Sequence, residues 1–514
     1  MVIKWIFVIE SLVNFIILDL YFMHMFQLSS YFVSKYMRWI KKNYLKILIK
    51  EVFILFSFLF FIDNVYFKIV SCFIMGVSIV YNFHRKKQKV KFRFTNRVFR
   101  IKILEVFSIV LLFFFFSFDK FCICIVLLNL FSFIACVIFN FIISPVEFVI
   151  QKYYITDAKR IMREMKDLIV IGVTGSFGKT SIKNYLYEIL SEKYNVLMTP
   201  KNYNTTMGVV KTIREELKPT YNVFICEMGA TKPRDIKKIC NIVNPKIGVI
   251  SSIAPQHLES FKSIKNVAKT KFELGEAVCR NSGMMFLNFD NEYIRKYGFK
   301  GKYTSYGLDL KDGVKKDCCS KILKVSSEGV EFKINGEKYS SSLLGEHNVE
   351  NLTCCIAVGK YLGVSSEDIK YSVSRIVGVP HRMQVISNEE FTVFDDTYNS
   401  NPISSKRSLD TLNLFKGIKK VVTPGLIELG DDERKFNIEL GEYISSVCDF
   451  AYIVGKKNSK EIIEGINIGI KKKKKKIDIV KVSSPEEGME KIRELHLKDK
   501  VIILLLNDLP DNYD

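Results

Sequence analysis

Gly172-Val-Thr-Gly175-Ser-Phe-Gly178-Lys179-Thr180 is the stretch whose reading decides the fold. The apolar run 168–173 leads into it as a buried strand, and Ser181-Ile-Lys-Asn-Tyr-Leu-Tyr-Glu-Ile-Leu190 leads out with helical amphipathic spacing. A glycine turn between strand and helix lets backbone N–H groups close around phosphate oxygens at the positive end of the helix. In this reading Thr174, Gly175, Ser176, Phe177, Gly178, Lys179, Thr180 and Ser181 form a nucleotide cradle. Lys179 reaches the terminal phosphates and the Thr180 hydroxyl sits on Mg²⁺. The strict pattern G-x-x-x-x-G-K-[ST] wants glycine at position 173, which is Val173; Gly172 stands one residue early. The competing reading is a chance glycine turn.

The chain has 514 residues, enough for two or three domains, and a net charge of +22. Such a charge suits nucleic acid, anionic lipid or a phosphorylated substrate, and its placement decides among them. Twelve cysteines are present without any CxxC, and several lie in apolar runs (Cys72, Cys122, Cys124, Cys136). Reduced thiols fit that distribution better than disulfides or zinc.

Residues 1–150 are dominated by Phe, Ile, Leu and Val, with five apolar runs near bilayer-crossing length at 3–28, 45–62, 65–83, 101–118 and 121–144. Glu10 and Asp19 interrupt the first run and no small-residue cleavage site follows, so a cleaved signal peptide fits poorly. Only Asp63-Asn64 separates the second run from the third, so a re-entrant hairpin is an alternative to two spans. Lys35, Arg38, Lys41, Lys42 and Lys46 occupy the first connection. Arg85, Lys86, Lys87, Lys89, Lys91, Arg93, Arg97 and Arg100 crowd the third, without an acid. With basic loops inside, the N-terminus lies outside and everything after Ser144 is cytoplasmic, at the plasma membrane. Beside membrane spans, this charge with Phe92, Phe94 and Phe99 reads as contact with anionic lipid headgroups, not nucleic acid. Glu10, Asn14, Asp19 and His24 are expensive in hydrocarbon and read as helix–helix contacts facing a bundle interior, with a lipid-substrate contact as the alternative.

After a basic amphipathic stretch at 153–166, three further buried strands follow the glycine turn. Residues 194–199 lead into Pro200-Lys-Asn202-Tyr-Asn204-Thr205, placing amides and a hydroxyl where α/β sheets bind ligands. Tyr221-Asn-Val-Phe-Ile-Cys-Glu227-Met-Gly229 ends in a carboxylate, the usual holder of Mg²⁺ beside a phosphate loop. Residues 245–252 run into His257, and a helix at 264–278 presents Lys269, Lys271 and Glu273.

These motifs, in this order, resemble the Mur ligases, ATP-dependent amide-forming enzymes of peptidoglycan precursor synthesis. The resemblance runs from about 169 to 505 and is greatest to members that add D-alanyl-D-alanine to UDP-N-acetylmuramoyl-tripeptide. It continues through Leu344-Gly-Glu-His347-Asn348-Val-Glu-Asn351, Pro380-His-Arg382-Met-Gln, Asp395-Asp396-Thr-Tyr398-Asn399-Ser-Asn401-Pro402 and Gly425-Leu-Ile-Glu-Leu-Gly430. It implies that Lys179 binds the terminal phosphates of ATP, that Thr180 and Glu227 hold one Mg²⁺, and that His257 helps hold a second. It implies a carbamylated Lys271, acting as a carboxylate-like ligand or orienting group beside the metal. Asn351, with Asn348 nearby, matches the adenine contact, and Arg382 and Asp396 match residues brought to the nucleotide by the third domain. Asn202, Asn204, Thr205, Tyr398, Asn399 and Asn401 match the substrate side. The implied partners are a cell-wall precursor with a free carboxylate and an amino-acid or dipeptide amine. The chemistry is activation of the acid as an acyl phosphate, attacked by the amine.

From 384 the strand–helix alternation restarts, with strands expected at 391–394, 419–423, 450–454, 477–482 and 501–506. The expected architecture is thus a membrane α-helical region (1–150), a P-loop Mur ligase central α/β domain (151–383) and a Rossmann-like C-terminal domain (384–514). The lysine run 471–476 reads as a solvated turn. Two features depart from the family: its soluble UDP-sugar-binding domain is replaced by membrane spans, and no Lys-Gly-Ser-Arg-like segment follows 506. They motivate two alternatives to ligation of the usual precursor: a membrane-tethered ligase on a lipid-linked or polymeric acceptor, and a catalytically silent nucleotide-binding scaffold. A transport ATPase ranks last, because no second nucleotide cassette or transport signature is present.

Overall fold

The structure is a computed structural model; it describes residues 2–83, 90–309, 313–387, 391–398, 401–473, 476–494 and 500–508. Arg85, Lys86, Lys87 and Lys89, Asn399, part of the lysine run and the segment after 508 lie outside the described residues. The chain divides into two compact units, the first ending at Lys152 and the second covering Tyr153–Asp508.

The first unit is helical, with segments Val2–Leu28, Val33–Lys42, Tyr44–Phe56, Val65–Phe83, Asn96–Phe115, Phe118–Leu130 and the start of Ser132–Glu164. Among the described residues, Val2–Leu28, Val65–Phe83 and Ser132–Glu164 are long and apolar enough to cross a membrane. The five expected runs are thus distributed differently. The second becomes a thirteen-residue helix and a 3₁₀ turn, Ser57–Phe61, short of a crossing. The fourth lies in Asn96–Phe115, which carries Arg97, Arg100, Lys102 and Glu105. The fifth breaks at Phe131, and its second half continues without interruption through Pro145 into the amphipathic stretch, in one helix of 33 residues. The interior holds polar groups: Asn14 donates to Asn129 (3.0 Å) and accepts from Ser78 (3.3 Å) and Asn82 (3.2 Å), while Lys102 bridges Asp19 and Glu105. Asn14, Asp19 and His24 are buried, whereas Phe73, Phe114, Phe115 and Phe141 are exposed.

The second unit carries two sheets. The first contains β1 (Ile169–Thr174), β2 (Val196–Met198), β3 (Val223–Glu227), β4 (Ile247–Ile250), β5 (Met284–Asn288), β6 (Tyr303–Leu308), β7 (Cys318–Ser326), β8 (Gly329–Ile334) and β9 (Glu337–Ser341). Their order is β2-β3-β1-β4-β5-β6-β7-β8-β9, parallel as far as β7 and antiparallel from there. β1, β3 and β4 are continuous apolar runs because helices cover both faces of a parallel sheet. β3 and β4 flank β1 on opposite sides, so the chain after β1 opens into a crevice at the carboxyl ends of the strands, where α/β sheets bind ligands. The second sheet contains β10 (Gln384–Ser387), β11 (Phe391–Asp396), β12 (Ile418–Thr423), β13 (Phe450–Val454), β14 (Asp478–Val482) and β15 (Val501–Leu506). Its order is β10-β11-β15-β12-β13-β14, with only β10 antiparallel to its neighbour.

Candidate functional site

The glycine turn closes between β1 and the helix Lys179–Ser191, whose N-cap is Gly178 at φ 80°. A side chain there would be strained, and its Cβ would lie 2.9 Å from Asn351 Oδ1. Gly172 is not part of the turn. It sits inside β1, paired with Cys226 and Gly248, where a Cβ would press on Leu274 and Met228. The imperfect spacing is thereby explained: Gly172 serves strand-to-helix packing, and the turn begins after Thr174. Two serines beyond β4 fasten it. Ser252 Oγ accepts from the Phe177 N–H at 2.8 Å, and Ser251 Oγ donates to the Phe177 carbonyl. Thr174 donates to Met228 O (2.8 Å), and Ser176 bonds the backbone of Ala254. Ser181 lies in the helix's first turn.

Lys179 donates to the Gly175 carbonyl at 2.7 Å. Burial pushes its ammonium down to about 8; Glu227 opposes this and the positive charge of Arg382 adds to it. Glu227, at the end of β3, is 1% exposed. Its Oε1 accepts from Asn204 Nδ2 (2.9 Å) and from the Thr180 hydroxyl (3.3 Å), while Oε2 is buried without a hydrogen bond, 3.3 Å from Lys183 Nζ. Lys271 is 4% exposed and makes no hydrogen bond or ion pair among the described residues. Burial first, and Lys179 second, hold its pKa well below the ordinary lysine range.

The segment just before β10 contributes Arg382, which donates to the Tyr398 carbonyl at 2.9 Å and lies 4.2 Å over the Tyr398 ring. Burial lowers the pKa of Arg382, opposed by the charges of Asp396, Tyr398 and Glu227. Asp396 accepts from the Ser408 hydroxyl at 2.5 Å; burial raises its pKa against that bond and Arg382. Arg407 reaches Glu350 at 2.6 Å and lies 4.9 Å over the Phe177 ring.

The structure therefore joins Thr180, Asn204 and Glu227 by direct contact, and Lys179, Lys271 and Arg382 by charge. His257 has a different neighbour: its Nδ1 meets Glu428 Oε2, both residues in left-handed backbone. Among the described residues, no three His, Cys, Asp or Glu side chains converge as a metal-holding cluster. Of the sequence-derived set Thr180, Glu227, His257 and Lys271, direct contact joins Thr180 to Glu227, while His257 is engaged by Glu428. Several other candidates serve the fold. Asn348 is held by the Tyr185 hydroxyl and the Leu344 carbonyl. Thr205 caps the helix Thr206–Glu215, and Asn401 caps Pro402–Asn413 with a capping box. Asn202 is exposed in the turn before Asn204. Sequence reasoning missed Lys183, Ser251, Ser252, Glu350, Arg407 and Glu428. Glu350 and Glu428 lie inside motifs that carry the resemblance, and Lys183 stands one helical turn beyond Lys179; none of the three was given a role.

Residues 173–359 match the Mur ligase middle domain, and 381–506 match the Mur ligase, glutamate ligase domain. The chain is 31% identical over 307 residues to the UDP-N-acetylmuramoyl-tripeptide–D-alanyl-D-alanine ligase of Buchnera aphidicola subsp. Baizongia pistaciae, covering 59% of this chain and 66% of that one. It is 28% identical over 281 residues to the ligase of the same name from Bacillus subtilis, covering 54% and 60%. The chain thus spans slightly under two thirds of these relatives' length. Among solved structures it is similar to MurF from Acinetobacter baumannii (TM-score 0.62, 25% identity, 70% of this chain and 77% of that one). It is also similar to MurF ligase from Thermotoga maritima in complex with ADP (TM-score 0.61, 25% identity, 70% and 80%).

Proposed function

Because the chain belongs to the Mur ligase family through its middle and C-terminal domains, we propose that it is an ATP-dependent, ADP-forming amide ligase. The observation that carries this is the Lys179–Thr180–Glu227–Asn204 grouping at the carboxyl ends of β1 and β3, with Arg382 contributed from the start of the C-terminal family domain. A carboxylate of the acceptor attacks the γ-phosphate of ATP, ADP leaves, and an amine displaces phosphate from the acyl phosphate. Lys179 and Arg382 spread the charge that develops on the transferring phosphoryl group, and Asn204 and Thr180 keep the Glu227 carboxylate aimed.

Thr180 and Glu227 would hold magnesium, which neutralises phosphate charge when bound; the Thr180 hydroxyl beside Glu227 Oε1, at the end of β3 next to the phosphate loop, is the hard-oxygen pair that supports this. His257 is the candidate for a second ion. Lys271 suits carbamylation: a buried amine with a depressed pKa is neutral enough to add CO₂, losing a proton. The resulting carbamate is attracted to Lys179 instead of repelled by it.

The relatives' names direct the acceptor reading to a peptidoglycan precursor and the amine to D-alanyl-D-alanine or another amino compound. A second reading, a lipid-linked acceptor, is favoured by the apolar helical unit, since neither family domain reaches residues before 173. In that reading the first unit lies in the plasma membrane, with exposed phenylalanines facing lipid. Lys35, Arg38, Lys41 and Lys42 face anionic headgroups, and the catalytic domains are cytoplasmic.

The test is ADP formation by the purified full chain with UDP-linked and lipid-linked precursors, each with and without the amine, and Lys179→Ala as blank. ADP release that needs both acid and amine supports ligation; release independent of both overturns it. Equal rates on the two acceptors would remove the lipid-linked reading.

A further inference from the structure

We propose that Lys183 is a positioning residue that presets Glu227 for the metal and ties it to the acceptor-side loop 199–205. This rests on the ligase reading, and its test uses only the nucleotide half.

Lys179 and Lys183 are four residues apart on the helix Lys179–Ser191, so they emerge from the same face one turn apart. The first serves the phosphate loop. The second is 1% exposed and ends among three oxygens: the carbonyls of Thr199 (2.8 Å) and Lys201 (2.7 Å), and Glu227 Oε2 (3.3 Å). A buried ammonium survives only with such partners, so its place is fixed by them and fixes them in turn.

The carboxylate is thereby divided. Oε2 faces Lys183, while Oε1 faces Thr180 and Asn204, leaving the Thr180 side for a divalent cation. The loop is stitched to the same strand and to the turn after it by two further bonds: the Glu227 N–H donates to Thr199 Oγ1 (3.1 Å), and the Gly229 N–H to Asn204 O (2.7 Å). Asn202 and Asn204 therefore hang from a segment whose backbone is clamped by the side chain that orients the metal carboxylate. Lys183 acts through Glu227 and this loop, without touching the reacting atoms.

The test compares full-length wild type, Lys183→Met and Lys183→Arg by Mg²⁺ titration of fluorescent-ADP binding, alongside thermal unfolding without ligand. Methionine keeps length and loses charge; arginine keeps charge but presents a planar fork to a site built for a tetrahedral donor. Both variants are expected to need roughly ten times more Mg²⁺ for half-maximal nucleotide binding. The Glu227→Gln background should abolish that difference. A folded Lys183→Met or Lys183→Arg protein with wild-type Mg²⁺ dependence overturns the proposal, as does an equal rise in the Glu227→Gln background. ADP binding needs neither acceptor nor amine, so failure of the ligation assay leaves this result interpretable.

Discussion

Gly172 and Gly175 lie three residues apart and fail differently when given a methyl group. At Gly172 a Cβ would come within 2.6 Å of Leu274 Cδ1 and 2.9 Å of Met228 Cε, the far ends of flexible side chains. Gly172→Ala should therefore lower stability by about 1–3 kcal/mol, as core overpacking does, and leave the Kd for ADP unchanged. At Gly175 the Cβ would lie 1.9 Å from Ser251 Oγ, the hydroxyl that fastens the turn. Gly175→Ala should weaken ADP binding more than tenfold with a smaller loss in thermal midpoint; calorimetric titration and unfolding of both variants separate the cases. The same contrast marks what the sequence made legible at the site. Lys179, Thr180, Asn204 and Glu227 stand at fixed offsets from strand ends, so their convergence follows from the α/β topology. Glu428 on His257 and Arg407 on Glu350 join residues 171 and 57 positions apart, and no local pattern encodes those distances.

Strands β1, β3, β4, β13 and β15 were readable because burial on two faces makes each a nearly solid apolar run, whereas β5 and β6, parallel members of the same first sheet, were not expected. β7, β8 and β9 were not, since each alternates charge with apolar side chains over a half-exposed face. A signal was nevertheless there: Asn335-Gly336, both at positive φ, is the two-residue hairpin turn between β8 and β9. Just past that turn Glu337 accepts from Lys360, Tyr339 and Ser366, tying the hairpin to two helices, and its pKa is pulled down to about 2, chiefly by Lys360. A carboxylate with a depressed folded-state pKa stabilises the fold above its unfolded value and loses that stabilisation as pH falls through the folded one. Acid unfolding between about pH 4.5 and 2 should therefore be less pH-dependent in Glu337→Gln than in wild type, followed by far-UV circular dichroism. Helix capping gives a second outcome at this scale. Thr205→Ala should cost about 1 kcal/mol through loss of the cap on Thr206–Glu215, and Thr205→Ser should restore it. A Thr205→Ser protein that is stable yet binds acceptor weakly would show that the methyl group contacts substrate.

In the whole molecule, the two sheets of the second unit meet through charges placed beside the phosphate loop. Glu350, 4% exposed on the helix Glu346–Tyr361, accepts from Asn288 on one oxygen and from Arg407 on the other. Arg407 also covers Phe177, and desolvation first, then the Arg407 charge, push the partly exposed His347 down to about 3. Removing Arg407 would leave a buried carboxylate with only a neutral donor. Breaking a fully buried pair costs about 3–5 kcal/mol, but Arg407 is 32% exposed, so on the order of 2 kcal/mol is the better expectation. Replacing both partners removes the stranded charge, so Arg407→Met/Glu350→Gln should be more stable than Arg407→Met alone. The catalytic consequence should not recover with it. Arg382 is carried by the same domain that Arg407 holds against the phosphate loop, so both variants should lose about tenfold in kcat for ADP formation if closure positions that guanidinium. Urea unfolding and steady-state rates on the single and double variants decide it. Stability and kcat recovering together would make the pair a matter of folding alone, whereas stability recovering while kcat stays low assigns Arg407 to domain closure.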